Sequence, residues 1–223
     1  MNPIWFNAVR ASARAVAPWW LAGGAPEPVA VYQPIGAASL AASYVNLANP
    51  GTFDAAPGVA PTWASGTGWE FDGTTQYLMT GVVHAQGWLM IARITPQGWP
   101  LNQYAAGARS STSTRLELGI GFSVSRNVFI VSHGGALVTG SGTNGTNYVL
   151  AATQGAGYID GVTVGSPGAW DGTNTRAIAI GATNNDGTIS NWWNGTVQAV
   201  AIYASSTDHA VWVPAVSAAM AAL

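Results

Sequence analysis

The chain has 223 residues, 48% of them hydrophobic and only 7% charged, with a formal charge of −2 and no cysteine. That length suits one large domain with a sizeable buried core. The near-neutral balance gives no footing for nucleic acid or an anionic membrane, and the missing thiols exclude disulfides, thiolate metal sites and cysteine nucleophiles.

In chain order, residues 1–20 read as a helix. Asn2 is placed to cap it, Pro3 to start it and Pro18 to stop it. Trp5, Val9 and Val16 form its apolar stripe. This stripe suits packing on its own domain, or an arm docking on a neighbouring subunit. Arg10 and Arg14 precede only a short run broken by Pro18, which is no export signal. Residues 23–34, "GGAPEPVAVYQP", read as an extended linker. The expected division is therefore an N-terminal arm over 1–34 and one domain over 35–223.

From residue 35 onward, "SLAASYVNLA" (39–48) suggests a short helix, and the chain then becomes a succession of short apolar runs. Asp-Gly at 72, 160, 171 and 186 and Asn-Gly at 144 and 194 punctuate them, the strongest short-range hairpin signal there is. Between these turns lie "WLMIARITP", "RLELGIGFSV", "NVFIVSHGG", "NYVLAAT", "GYIDGVTVG", "RAIAIGA" and "GTVQAVAIY". One or two helices close the chain, with Pro214 expected to start the last. The fold class is all-β, an antiparallel sandwich with short helices at its ends.

Several segments, in this order, resemble the laminin-G-like branch of the concanavalin A-like jelly rolls. They are "WEFDGTTQYL" (69–78), "GYIDGVTVG" (157–165), "IAIGA" (178–182) and "WNGTVQAVAIY" (193–203). The resemblance covers about 39–223. It implies two antiparallel sheets with ligand sites on the concave face or in rim loops. By the same resemblance Trp63, Trp69 and Trp193 fall at core positions. Neighbouring strand residues face opposite ways, so Trp192 should point away from Trp193.

Several groups carry candidate chemistry. Trp99, Trp170 and Trp192 lie in or beside Gly- and Pro-rich loops and suit sugar stacking or a protein interface. Glu70 and Asp72 share a strand face, but a retaining glycosidase needs two carboxyls across the scissile bond, and Asp72 also has turn duty to perform. Asp171, Asn184 and Asp186 are loop oxygens of the kind calcium takes, and equally of the kind that builds turns. No other cofactor is expected. His84, His133 and His209 are isolated and read as ordinary surface or loop histidines.

The expected function is a non-enzymatic interaction module, a structural or adhesion subunit of a phage-type virion or other surface assembly. Its partners would be other protein subunits, including further copies of this chain, and its location a virion or extracellular surface. The virion context rests on the family resemblance. The alternative is a secreted carbohydrate-binding lectin module with a cell-surface glycan as partner. A third reading is a glucanase-like hydrolase. None involves nucleic acid or membrane insertion.

Overall fold

The computed structural model describes residues 17–98, 102–123 and 126–223. Trp5, Val9, Val16 and Trp99 lie outside the described residues. A 3-10 helix spans Trp19–Gly24. The strands are β1 (Ala30–Tyr32), β2 (Ala56–Val59), β3 (Thr62–Ala64), β4 (Gly68–Asp72), β5 (Tyr77–Val83), β6 (Leu89–Pro96), β7 (Gln103–Arg109), β8 (Arg115–Ser123) and β9 (Arg126–His133). They continue with β10 (Gly135–Thr139), β11 (Tyr148–Thr153), β12 (Ala156–Ile159), β13 (Val162–Gly165), β14 (Ala177–Ile180), β15 (Thr183–Asn185), β16 (Thr188–Ser190) and β17 (Asn194–Tyr203). Helix α1 is the single turn Leu40–Ser43, capped by Ser39, whose hydroxyl accepts from the Ala42 N–H. Helix α2 is His209–Ala221.

Two sheets form a sandwich. The first runs β13-β12-β11-β6-β17-β4-β3, with β1 also paired to β17. The second runs β10-β9-β8-β7-β14-β5-β2 and carries the β15–β16 hairpin. Pairing is antiparallel except where β15 runs parallel to β7. Two of the expected hairpin pairs close hairpins: Asp160-Gly161 and Asp186-Gly187 both adopt positive φ, whereas the pairs at 72, 144 and 171 lie in connections between the two sheets and Asn194-Gly195 opens β17.

Between the sheets lies one apolar core, with Trp69, Phe71, Ile94, Leu118, Phe129, Ile180 and Trp193 among its members. A second core lies on the outer face of the first sheet. There Leu89, Ile91, Val149, Ala151, Ala199, Ala201 and Tyr203 meet Trp19 and the α2 residues Trp212, Val213, Val216 and Met220.

This second core corrects the arm-and-linker reading of 19–34. The 3-10 helix packs on α2, and β1 pairs with β17 through Ala30↔Ile202, Val31↔Ala201 and Tyr32↔Val200. Gly23 lets the two helices touch: at φ +67° a Cβ there would come within 2.6 Å of the Ala215 Cβ. Proline and glycine correctly signalled an extended stretch, but extension does not distinguish a free linker from a docked strand. A second correction concerns Pro214, which sits inside the single helix α2 rather than starting one. The helix is held by burial against the sheet, which offsets the missing Pro214 N–H.

Candidate functional site

The outer face of the first sheet has two halves. Along β6, Ala92 and Ile94 point into the inter-sheet core, so Leu89, Ile91, Arg93, Thr95 and Gln97 share the outer face. The first two lie beneath α2; the last three are polar. Arg93 marks the boundary, donating to the Met220 and Leu223 carbonyls at 3.4 and 2.8 Å. A cation is favourable at this end of α2.

Beyond Arg93 the register aligns a polar row across four strands: Thr62↔Glu70, Glu70↔Thr196 and Thr196↔Thr95. Three inter-strand spacings of ~4.8 Å make it roughly 14 Å long. A hollow of about 370 Å³ sits on this half, lined by Thr62, Glu70, Asp72, Gln76, Gln97 and Asn194. Beside it, the Gln198 amide donates to Thr95 Oγ1 and Asn147 Oδ1, both at 3.1 Å, and the Thr95 hydroxyl donates to Asn147 Oδ1. Thr196 Oγ1 and Gln198 Oε1 are buried and have no hydrogen-bond partner. A bulge between Val197 and Ala199 leaves Gln198 as the extra residue that β6 does not pair.

Glu70 and Asp72 do share this face, as their spacing predicts. Asp72, however, spends its carboxylate on its own turn. Burial is the largest single influence on Asp72 and raises its pKa, but hydrogen bonds from the Thr75 N–H and hydroxyl, and from the Thr74 and Gln76 N–H groups, together outweigh it and hold the pKa well below the usual carboxylate range. Asp72 is thus an ionised turn former. Glu70 accepts from Gln97 Nε2 at 3.3 Å.

A second concavity lies in rim loops. Trp170, on the segment between β13 and β14, lines a pocket of about 210 Å³ with His84, Gln86, Thr173 and Asn174. The loop is pinned on several sides. The Asp171 N–H donates to the Ser113 carbonyl at 3.0 Å, and Ser110 Oγ donates to Asn174 Oδ1 at 2.9 Å. Trp170 itself donates from Nε1 to the Gly172 carbonyl at 2.8 Å.

Beneath Trp170 lie His84, edge-on at 5.4 Å, and His133, tilted at 5.0 Å. Both imidazoles are buried, at 1% and 0% exposure. This corrects their reading as ordinary surface or loop histidines. Burial and the neighbouring His133 push the His84 pKa down to about 3, and burial pushes His133 down to about 4. His209 is half-buried, with its Nδ1 against the Tyr158 hydroxyl.

The remaining expected contacts are dispersed. Trp193 is fully buried, while Trp192 is half-buried, its indole nitrogen enclosed and without a hydrogen-bond partner. Trp192 lines neither concavity described above. Asn184 spends its amide on the Ala177 carbonyl and the Gly187 N–H. Asp186 takes two bonds from the Arg176 guanidinium, at 3.0 and 2.8 Å. Asp171 sits beside Trp170 instead. Among the described residues no group of three or more His, Cys, Asp or Glu is disposed to hold a metal.

Sequence reasoning missed the acid that burial affects most. Glu117 has no exposed surface, and burial raises its pKa against a Thr183 hydroxyl bond of 2.8 Å and Arg109 and Arg115 at 3.8 and 3.7 Å. Sealed from solvent, it pins the second sheet and is out of reach of any substrate.

No protein-family model and no curated protein sequence matches this chain. Solved structures do. A mutant Trypanosoma rangeli sialidase displaying trans-sialidase activity matches with a TM-score of 0.62 at 18% identity, over 87% of this chain and 33% of the sialidase. The T. rangeli sialidase solved with sialic acid matches at 0.57 and 17%, over 80% and 31%. Domain 4 of a GH43 extracellular arabinanase from Geobacillus stearothermophilus, solved with arabinotriose, matches at 0.59 and 15%, over 87% of this chain and 98% of that domain. This chain therefore spans about a third of the sialidases and nearly all of the arabinanase domain. These neighbours belong to carbohydrate-active proteins. That finding overturns the expectation of a non-enzymatic structural subunit of a phage-type virion. At these identities the likeness establishes the fold alone: an all-β antiparallel sandwich.

Proposed function

We propose that this chain is a carbohydrate-binding domain of the laminin-G-like branch, engaging a glycan along the open polar half of its first sheet. One observation carries the reading. Thr196 Oγ1 and Gln198 Oε1 are buried acceptors without partners, next to a row of amides and hydroxyls on an otherwise well-satisfied sheet. A polyhydroxylated chain laid across the strands would exchange hydrogen bonds with the exposed members of that row, Thr62, Glu70 and Gln97, and cover the two unpaired atoms, which cost on the order of 1–3 kcal/mol each. The arabinotriose in complex with which the arabinanase domain was solved is consistent with this.

The reading is one of binding without hydrolysis. A retaining glycosidase needs two carboxyls free to act as acid and nucleophile, and the Asp72 carboxylate is taken up by four hydrogen bonds of its own turn. The test is affinity electrophoresis and calorimetry against arabinan, xylan, β-glucan and sialylated oligosaccharides, with reducing-end release assayed in parallel. Binding to at least one glycan, weakened tenfold or more by Gln97→Ala combined with Thr62→Ala, is expected. Absence of binding to every glycan, or cleavage that disappears in Glu70→Gln, defeats the proposal.

A further inference from the structure

Asn174 fixes the chemistry of the rim pocket. Its Oδ1 receives the Arg176 N–H at 3.1 Å and the Ser110 hydroxyl at 2.9 Å. Its Nδ2 donates to the Arg176 carbonyl at 2.7 Å and faces His84 Nδ1 at 3.0 Å. The amide orientation is thereby set by backbone on both sides. His84 Nδ1 is the acceptor, so the neutral imidazole carries its proton on Nε2. That Nε2–H is buried and has no partner. A transition metal at Nε2 would need the proton on Nδ1 instead, facing a donor.

The pocket is therefore walled by the Trp170 indole and by the His84 imidazole, whose Nε2–H lacks a partner, and it carries the Gln86 and Thr173 side chains. No residue lining it carries a formal charge at neutral pH. Its volume of about 210 Å³ has room for one sugar ring, not a chain. Aromatic faces with convergent hydrogen-bonding groups are the usual means of holding such rings. We propose that the pocket beneath Trp170 is a second saccharide site, taking a single uncharged sugar ring end-on, with His84 donating to a ring hydroxyl and Trp170 packing on the ring. This goes beyond the sheet-face reading and shares only its ligand class.

The test follows the imidazole proton resonances of His84 and His133 while neutral monosaccharides (L-arabinose, D-galactose, D-glucose) are added to the full chain, with zinc chloride as a separate arm. At least one sugar is expected to shift both resonances saturably. Trp170→Ala should abolish that shift, and so should Thr173→Phe, which fills the pocket from its exposed rim and keeps the tryptophan. Gln97→Ala should leave it unchanged. Thermal melts confirm that each variant is folded. Resonances unmoved by every sugar, or shifts surviving both pocket variants, overturn the proposal. So does stoichiometric zinc binding lost in His133→Ala. If Gln97→Ala with Thr62→Ala leaves oligosaccharide affinity unchanged while the rim shifts persist, the sheet-face reading fails and the rim site stands.

Discussion

The Asn174 amide stands 3.0 Å from His84 Nδ1, and that contact sets which nitrogen of a buried imidazole keeps its proton. Replacing the amide by a carboxylate reverses the situation. In Asn174→Asp the new charge favours the imidazolium and also opposes the Arg176 carbonyl, which now accepts from Nδ2. The His84 pKa should rise from about 3 toward or above its ordinary value, and stability should fall by about 1–3 kcal/mol for the lost and repulsive contacts. A histidine NMR titration and a denaturant melt check both. A His84 pKa that stays low would show that the amide is not its controlling neighbour.

The two histidines also predict how the domain responds to acid. Both have folded pKa values below the ordinary 6.5, at about 3 and about 4. Above pH 6.5 they are neutral in both states, and their contribution is fully present. As pH falls from 6.5 toward 4, the unfolded chain takes up protons that the native chain refuses. Stability is then lost by up to about 1.4 kcal/mol per pH unit for each histidine. A melting profile between pH 8 and 4 should be flat at its alkaline end and fall below pH 6.5. The double variant His84→Gln with His133→Gln should fall less steeply; an equal slope would place the acid sensitivity elsewhere.

Adjacent tryptophans provide a test of register. Trp193 is fully buried in the inter-sheet core and donates to the Thr196 carbonyl at 3.2 Å; Trp192 is half-buried. Trp193→Ala should cost about 3–5 kcal/mol and Trp192→Ala clearly less, as read from chemical denaturation. Equal costs would contradict the opposite facing of these two residues, which lie in the connection just before β17.

Much of the sandwich was legible because its signals are local. The Asp-Gly pairs at 160 and 186 mark hairpins through their tolerance of positive φ; β6, β8, β11 and β14 fall within the predicted apolar runs, and β9 and β17 begin one residue before theirs. The docking of 19–34 was not legible, since what holds Trp19 is α2, nearly two hundred residues away. The sheet-face site was half-legible: along β6 the outer residues change from Leu89 and Ile91 to Arg93, Thr95 and Gln97, which signals a face leaving cover. The rim site was not. His84, His133, Trp170 and Asn174 come from three separate segments, and no spacing in the chain reveals that two histidines share one tryptophan. Asp171, Asn184 and Asp186 illustrate the opposite error, where oxygen-rich loop residues serve their own turns and an arginine.

The rim pocket's shape depends on a glycine that contributes no side chain. Gly134 adopts φ +76°, and a Cβ there would lie 2.5 Å from the Ala169 carbonyl oxygen and 2.7 Å from the Trp170 nitrogen. The backbone bearing Trp170 therefore rests directly on the turn between β9 and β10. Gly134→Ala must strain that turn and push the Trp170 segment outward, because both clashing atoms are backbone. The strain should lower stability by more than ~1 kcal/mol, and the indole should lift from His133, which it now meets at 5.0 Å. His133 and His84 should gain solvent, and their pKa values should climb from about 4 and about 3 toward the ordinary range. Monosaccharide-induced shifts of their resonances should vanish, whereas oligosaccharide affinity at the sheet face, built on β4, β6 and β17, should be retained. Histidine titration together with a glycan-binding isotherm on this one variant measures all of it. Unaltered histidine pKa values in a folded Gly134→Ala protein would mean that the Trp170 segment is held by Ser113 and Asn174 alone.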